Sequence, residues 1–180
     1  MNSENRTYAH HPELFYLHGT VYLSFSSAPI DEDSMGQEVW IATSKDSGHT
    51  WTPNQSLLPA ALLPNQNGLR DYSYWCDRQI PQYLGTLAGT GDRYLISNPR
   101  SDEDRERQPF TIAMSRGKDP RYKSIGVLRT HASISTVPGE HKNHGFSYPT
   151  AVQVGNKLLA AYSENKENIW VSVVDMHTLP

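Results

Sequence analysis

Four of the eight histidines lie in two short segments, and histidine is the side chain best suited to transfer protons near neutral pH. His10 and His11 form the first pair, and His141 and His144 flank Lys142 in the second segment. Such histidines can act as general acid and base, or they can be packed or surface residues. They could also ligate a metal, but their spacing is not that of a recognised metal site. We therefore predict no metal and no cofactor.

The segment Ser44–Trp51 has the pattern Ser-x-Asp-x-Gly-x-Thr-Trp. Asp46 can accept hydrogen bonds from backbone N–H groups across a tight hairpin turn. Gly48 supplies the positive φ that such a turn needs, and Trp51 returns a large apolar surface to the sheet. The spacing therefore predicts a structural turn, in which Asp46→Ala destabilises the fold without a direct effect on ligand binding.

Short apolar runs with alternating polarity and intervening turn signals recur along the chain, whereas helical periodicity is almost absent. This pattern predicts an all-β chain in which each set of three or four runs has the length of one propeller blade, about 40–50 residues. The blades are expected at 8–52, 82–130 and 145–176, within a single segment of 1–180. A long loop is expected at 53–81. A β-sandwich is the alternative that periodicity alone leaves open.

The motif at Ser44–Trp51 matches the Asp-box of sialidases and related β-propellers without a departure, and Ser115–Tyr122 resembles a decayed copy of it in the second blade. The resemblance implies sialidase-type, four-stranded antiparallel blades, about three of the six in such a propeller. In these proteins the box lies far from the active site, so its residues are expected to be structural. These residues are Ser44, Asp46, Gly48, Thr50 and Trp51.

The resemblance also implies a site for an acidic sugar. Sialidases bind the substrate carboxylate with arginines, and they use a tyrosine nucleophile and an aspartic acid. Arg107 heads the segment Arg107–Ser115, which is similar to the strand of the third arginine in the family. Tyr148 lies where the nucleophile is expected, and Asp31 or Asp33 lies where the acid is expected. The alternatives are solvated charges for Arg107 and Asp33 and an aromatic wedge for Tyr148.

The sequence departs from the sialidase pattern at His10, which stands where the first arginine is expected. Histidine at this position is similar to related propellers that cleave rhamnose–glucuronate linkages. That likeness implies His10 or His11 as acid or base, with Lys142 and His144 in the substrate site. The second arginine and the glutamate of sialidases belong to middle blades for which this chain has no room. We expect a glycoside hydrolase or lyase that acts on an acidic glycan, or a non-catalytic propeller segment that binds glycan or protein.

Composition narrows the classes of partner. The net charge is −3 and no basic stripe is visible, which argues against nucleic acid as a partner. No stretch approaches the roughly 20 apolar residues that span a membrane, and no signal peptide is visible at the start. Cys76 is the only cysteine, which fits a reducing compartment and slightly favours the cytoplasm while localisation stays open.

Three blades in an open arc would leave two sheet faces uncovered, with wedge residues such as Tyr162 or Trp170 exposed. Two copies meeting head to tail would cover these faces and close a six-bladed ring as a homodimer. The alternative is a truncated chain that aggregates or folds weakly.

Overall fold

The computed structural model describes residues 6–31, 36–58, 82–98, 107–139 and 142–180. These residues form eleven β-strands and one short 3₁₀ helix, and no α-helix occurs within these ranges. The strands make three antiparallel sheets, each built from strands that are consecutive in the chain. The predicted all-β class and the propeller-type blades are confirmed.

The first sheet has its strands in chain order. Its strands are β1 (Tyr8–Leu17), β2 (Thr20–Ala28), β3 (Glu38–Ser44) and β4 (Gln55–Leu58). The fourth strand begins later than the expected run near Trp51, because the Ser44–Trp51 turn occupies the connection between β3 and β4. Burial alternates along β2, so that Val21, Leu23 and Phe25 share the covered face.

The second and third sheets follow in the chain. The second contains β5 (Tyr83–Thr86), β6 (Arg93–Ser97), β7 (Phe110–Ser115) and β8 (Ser124–Arg129). The third contains β9 (Phe146–Val154), β10 (Lys157–Glu164) and β11 (Asn168–Asp175), followed by the 3₁₀ helix Met176–Thr178. The third sheet therefore has three described strands, and the other two have four each.

The turn between β3 and β4 is closed by side-chain hydrogen bonds. Asp46 accepts bonds from Thr50 N and Ser44 Oγ, each at 2.8 Å, and from the Thr50 hydroxyl. The bonds from Thr50 hold the pKa of Asp46 well below its usual range. Ser44 Oγ accepts from Gly48 N at 2.8 Å, and Trp51 Nε1 donates to Gly48 O at 3.0 Å. The side chains of Ser44, Asp46, Thr50 and Trp51 therefore close the turn.

The third sheet lies between the other two. Leu158, Ala160 and Tyr162 on one face of β10 belong to the core shared with the second sheet, and Leu159 and Ala161 on the opposite face belong to the core shared with the first. The first strands of the sheets contact each other in the order β5, β9, β1, as inner strands of adjacent propeller blades do.

This order changes which faces are open. Among the described residues, the third sheet is covered on both sides, so the outer faces are those of the first and second sheets. The expectation that Tyr162 lies at an open face is therefore wrong, since Tyr162 is fully buried between two blades. Trp170 on β11 is 44% exposed.

Candidate functional site

Two β-bulges lie at equivalent places in the neighbouring strands β1 and β9. In the first sheet His10 pairs with Ser26 and Glu13 with Ser24, so that His11 and Pro12 oppose a single residue of β2. In the third sheet Tyr148 and Pro149 likewise oppose a single residue of β10. A bulge bends its strand and redirects the side chain at the extra residue, which is why bulges are frequent next to active sites.

Both bulged residues have an unusual backbone conformation. The φ angle is 48° at His11 and 54° at Tyr148, in the left-handed region that bulky residues avoid. Each residue precedes a proline, which further restricts its backbone. Residues held in such conformations cluster at functional sites, where the surrounding structure compensates for the strain. The two residues are thus candidates for function on backbone grounds alone.

The rings of these residues meet. The centroids of His11 and Tyr148 are 4.1 Å apart with an edge-to-face angle of 69°, and His10 lies 6.0 Å from Tyr148. Tyr8 packs edge-on against His10 at 4.7 Å. His10 is buried, whereas His11 is exposed and Tyr148 is partly exposed. The structure therefore brings together His10, His11 and Tyr148, three of the residues that the sequence points to for catalysis.

Arg107 joins this cluster from the second blade. Its guanidinium carbon lies 6.0 Å from the centre of the Tyr148 ring. Its backbone is fixed against the start of β9, because Arg107 N donates to His144 O at 3.1 Å and Phe146 N donates to Arg107 O at 2.8 Å. A side chain at Gly145 would place its Cβ 2.5 Å from Arg107 O, so this close approach requires glycine. Among the described residues, Nη1 of Arg107 is buried without a hydrogen-bond partner.

Lys166 is a cluster residue that the sequence analysis missed. It is fully buried, and its Nζ lies 5.6 Å from the centre of the Tyr148 ring and 5.8 Å from that of Tyr8. It lies in the turn between β10 and β11, where Asn165 and Lys166 both have positive φ. A lysine in a polar turn is ordinarily solvated, and no motif marks this one. The sequence signal that could have identified Lys166 is its place in the β10–β11 turn, because this turn lies next to the inner strand β1.

The turn that carries Lys166 is buried under the segment 130–139. Asn165 donates to Ser133 O at 2.8 Å and accepts from Gly145 N at 2.9 Å. Glu167 accepts hydrogen bonds from the backbone or side chains of Ser135, Thr136 and Val137. Burial alone would raise the pKa of Glu167, yet these hydrogen bonds and nearby Lys142 hold it below its usual value. The turn is therefore anchored through its polar groups.

Lys142 and His144 are placed at the edge of this arrangement. Lys142 Nζ donates to Thr7 O at 2.9 Å and Val137 O at 3.2 Å, and lies 3.6 Å from Glu167. Burial lowers the pKa of Lys142, while Glu167 and then Asp31 oppose that change. Lys142 thus connects the loop before β9 to the chain at the start of the first blade. His144 contributes its carbonyl to Arg107.

Two further residues singled out from the sequence, Asp33 and His141, lie outside the described residues. Asp31 lies near Lys142 and acts to raise the pKa of that lysine. Within the part of the chain that the structure describes, no group of three or more His, Cys, Asp or Glu residues is arranged to hold a metal ion. No helix in those residues has the length and apolar character needed to cross a membrane.

Comparison with known proteins identifies the fold. A family model described as "BT_1020-like, N-terminal beta propeller" matches residues 1–79. A solved structure named Sialidase matches with a TM-score of 0.69 at 14% sequence identity, over 93% of this chain and 31% of that chain. The described strands thus have a β-propeller fold that is similar to part of that sialidase structure. The chain spans about a third of the length of the sialidase that it matches.

Other solved structures resemble the propeller less closely. The Bacteroides ovatus xyloglucan PUL GH43B matches with a TM-score of 0.33 at 13% identity, over 94% of this chain and 28% of that chain. Zg3597, a family 117 glycoside hydrolase from Zobellia galactanivorans, matches with a TM-score of 0.28 at 15% identity, over 94% and 51% of the two chains. A comparison with curated protein sequences finds no match to this propeller.

Proposed function

We propose that this propeller carries part of the active site of a carbohydrate-active protein, and that the site binds an acidic sugar through Arg107. The observation that carries the proposal is the buried Nη1 of Arg107, which has no hydrogen-bond partner among the described residues. A buried guanidinium nitrogen left without a partner is costly. A carboxylate can pair with both arms of the guanidinium, and a uronic or sialic-type sugar would bring that carboxylate.

The surroundings of Arg107 support an anionic sugar as the ligand. Arg107 and Lys166 approach the Tyr148 ring within 6.0 Å and 5.6 Å of its centre. The exposed His11 and the partly exposed Tyr148 offer ring surface at the opening of the cluster. Ring surface combined with a few converging polar groups is the usual character of a site for a small organic ligand. The charge would favour an acidic ligand over a neutral one.

In the hydrolase form of the proposal, Tyr148 is the nucleophile. A phenol avoids the repulsion that a carboxylate nucleophile would meet beside an anionic sugar. Its oxygen bonds to the anomeric carbon as the glycosidic C–O bond breaks, and the phenolic proton passes to a histidine. The departing oxygen takes a proton from an acid, for which the resemblance suggests Asp33, and water then releases the sugar. His10 and His11 are the histidines within reach of the ring.

A lyase is the second candidate, and the contact between His11 and Tyr148 favours it. In that reaction a histidine removes the proton beside the uronic carboxylate. The electron pair forms a carbon–carbon double bond as the C–O bond to the leaving group breaks, and Tyr148 gives its proton to the departing oxygen. Arg107 would stabilise the negative charge that develops on the carboxylate during this step.

An array of oligosaccharides with sialic, uronic and neutral terminal sugars tests the proposal, with products followed by mass spectrometry. We expect selective binding of the acidic members. Fragments that have together gained one water molecule indicate the hydrolase, and an unsaturated uronic product indicates the lyase. Binding without either product would indicate a non-catalytic propeller segment. Equal binding of neutral and acidic sugars would contradict the proposed ligand.

A further inference from the structure

We infer that Lys166 is a positioning residue that stabilises the ionised phenolate of Tyr148. The inference rests on the hydrolase form of the proposed function, in which Tyr148 is the nucleophile. Lys166 is suited to this role because it is fully buried, so its ammonium group cannot reach out to a bound sugar. Its Nζ lies 5.6 Å from the centre of the Tyr148 ring. Its effect on a ligand would therefore pass through Tyr148.

The position of Lys166 is fixed by its backbone. Ala9 N on β1 donates to Lys166 O at 2.8 Å, and Ser163 Oγ on β10 donates to Ala9 O at 2.7 Å. These bonds join the turn to the strand that carries His10 and His11. The backbone of Lys166 is thus fixed beside the strand that carries the two histidines. A charge held in a buried place acts more strongly than one in water.

Four groups that are cationic or able to become so lie around Tyr148, and the phenol of Tyr8 lies beside two of them. His10, His11 and Tyr8 face the cluster from β1, Arg107 from the second blade and Lys166 from the β10–β11 turn. A nearby cation favours the charged form of a phenol. Binding of an acidic ligand to Arg107 would neutralise that cation and leave Lys166 to support the phenolate.

Arg107 and Lys166 would thus have different roles beside the Tyr148 phenol. Arg107 is partly exposed and has a nitrogen free for a ligand among the described residues, whereas Lys166 is enclosed. The open cation suits recognition of the substrate carboxylate. The enclosed cation keeps its charge beside Tyr148 whether or not the ligand is bound. The site could then combine an anionic substrate with an ionised nucleophile.

The test is a pH titration of the tyrosine side chains by NMR, with tyrosine labelled with carbon-13 at Cζ. Tyr148→Phe assigns the Tyr148 resonance, and Tyr8→Phe assigns its neighbour. We expect Tyr148 in the wild type to ionise below the usual tyrosine value of about 10. Lys166→Met should raise its midpoint by about one pH unit, and Lys166→Arg should restore it. Lys157→Met, at the opposite end of β10, is the matched control and should leave the midpoint in place.

An unchanged Tyr148 midpoint in folded Lys166→Met, or an equal change in Lys157→Met, would overturn the inference. Circular dichroism shows whether each variant is folded. If Lys166→Met does not fold, the wild type decides, because a Tyr148 midpoint at or above the usual tyrosine value of about 10 contradicts a stabilised phenolate. The titration needs no ligand, so its failure is distinguishable from failure of the acidic-sugar proposal on the array.

Discussion

His11 and Tyr148 occupy equivalent positions in the adjacent strands β1 and β9: each lies in a β-bulge, precedes a proline and has positive φ, and their ring centroids are 4.1 Å apart. One ring comes from the first blade and the other from the third. The cluster therefore exists only when these two blades are packed together. Packing of the first blade against the third therefore assembles the site.

Tyr148→Phe separates a role in chemistry from a role in packing. The substitution removes only the phenolic oxygen and keeps the ring against His11. If Tyr148 reacts, we expect turnover of an acidic glycan to fall at least about 100-fold, while the Kd stays within about twofold of wild type. Tyr16→Phe, at an exposed position of β1, is the control and should change neither quantity. Unchanged turnover in Tyr148→Phe would exclude the phenol as a reacting group.

The sequence predicts the fold well because its signals are local. Period-two alternation marks the strands, and the Ser44–Trp51 pattern specifies a turn through hydrogen bonds within a few residues. The spatial order of the blades is not predicted from such local signals, because it depends on contacts between residues far apart in the chain. Tyr162 illustrates this: its alternation places it on a strand face, but only the neighbouring second blade determines that this face is buried.

The candidate site was partly predictable for the same reason. Resemblance to a family pattern identifies four residues of the site: His10, His11, Arg107 and Tyr148. The structure places the first three around the Tyr148 ring. Lys166 could not be found in this way. Its burial arises from the segment 130–139, which folds over a turn that would otherwise be solvated. Lys142 shows the converse, because an apparently free basic residue is tied to Thr7, Val137 and Glu167.

Arg107→Lys should weaken binding of an acidic glycan almost as much as Arg107→Ala, by about 10- to 100-fold. The ammonium group of lysine is a point charge and cannot reproduce the two-pronged contact of a guanidinium with a carboxylate. Arg121→Lys is the matched control, because Arg121 is exposed and pairs with Asp119. Isothermal titration calorimetry with one acidic sugar and its neutral analogue measures the effect. Equal affinities for wild type and both Arg107 variants would show that Arg107 does not bind the carboxylate and is a solvated charge.

Lys142→Met should reduce stability and leave the affinity for an acidic sugar nearly unchanged. The side chains of Lys142 and Glu167 are 5% and 6% exposed, so removing the cation leaves a buried carboxylate without its ionic partner. We expect a loss of about 3 kcal/mol in the free energy of unfolding, measured by urea denaturation. The double variant Lys142→Met/Glu167→Gln should recover part of the loss. A large loss of affinity at unchanged stability would instead place Lys142 in the substrate site.

Asp46→Asn should lower the Tm by about 5 °C at pH 7, because the turn loses a charged hydrogen-bond acceptor. The pKa of Asp46 is depressed in the fold, so its carboxylate contributes stability above the unfolded pKa of about 4, and this contribution is lost as the pH falls below that value. The Tm difference between wild type and Asp46→Asn should therefore shrink as the pH falls below about 4. Calorimetry between pH 7 and pH 2 measures it, with Asp175→Asn as control. A difference that stays constant down to pH 2 would contradict the ionic role.

The uncovered face of the second blade provides the last prediction. Leu84, Leu95, Ala113 and Ile125 lie opposite one another in register and form one row across all four strands of that sheet. Leu84 and Ile125 are 64% and 66% exposed, and Val127 on β8 is 58% exposed. Exposed apolar side chains such as these three on a sheet face favour association.

We therefore expect the 180-residue chain to associate at micromolar concentration in sedimentation velocity experiments. A second copy that covers this face with its own open face could close the ring of blades head to tail, whereas indiscriminate contacts would give larger aggregates. Ile125→Lys places a charge at the β8 end of this row and should shift the distribution toward monomer. Ile134→Lys is the matched control, because Ile134 is 85% exposed but lies outside the strands. A discrete dimer favours ring closure and a broad distribution favours aggregation, but a monodisperse wild-type monomer would show that this face needs no partner.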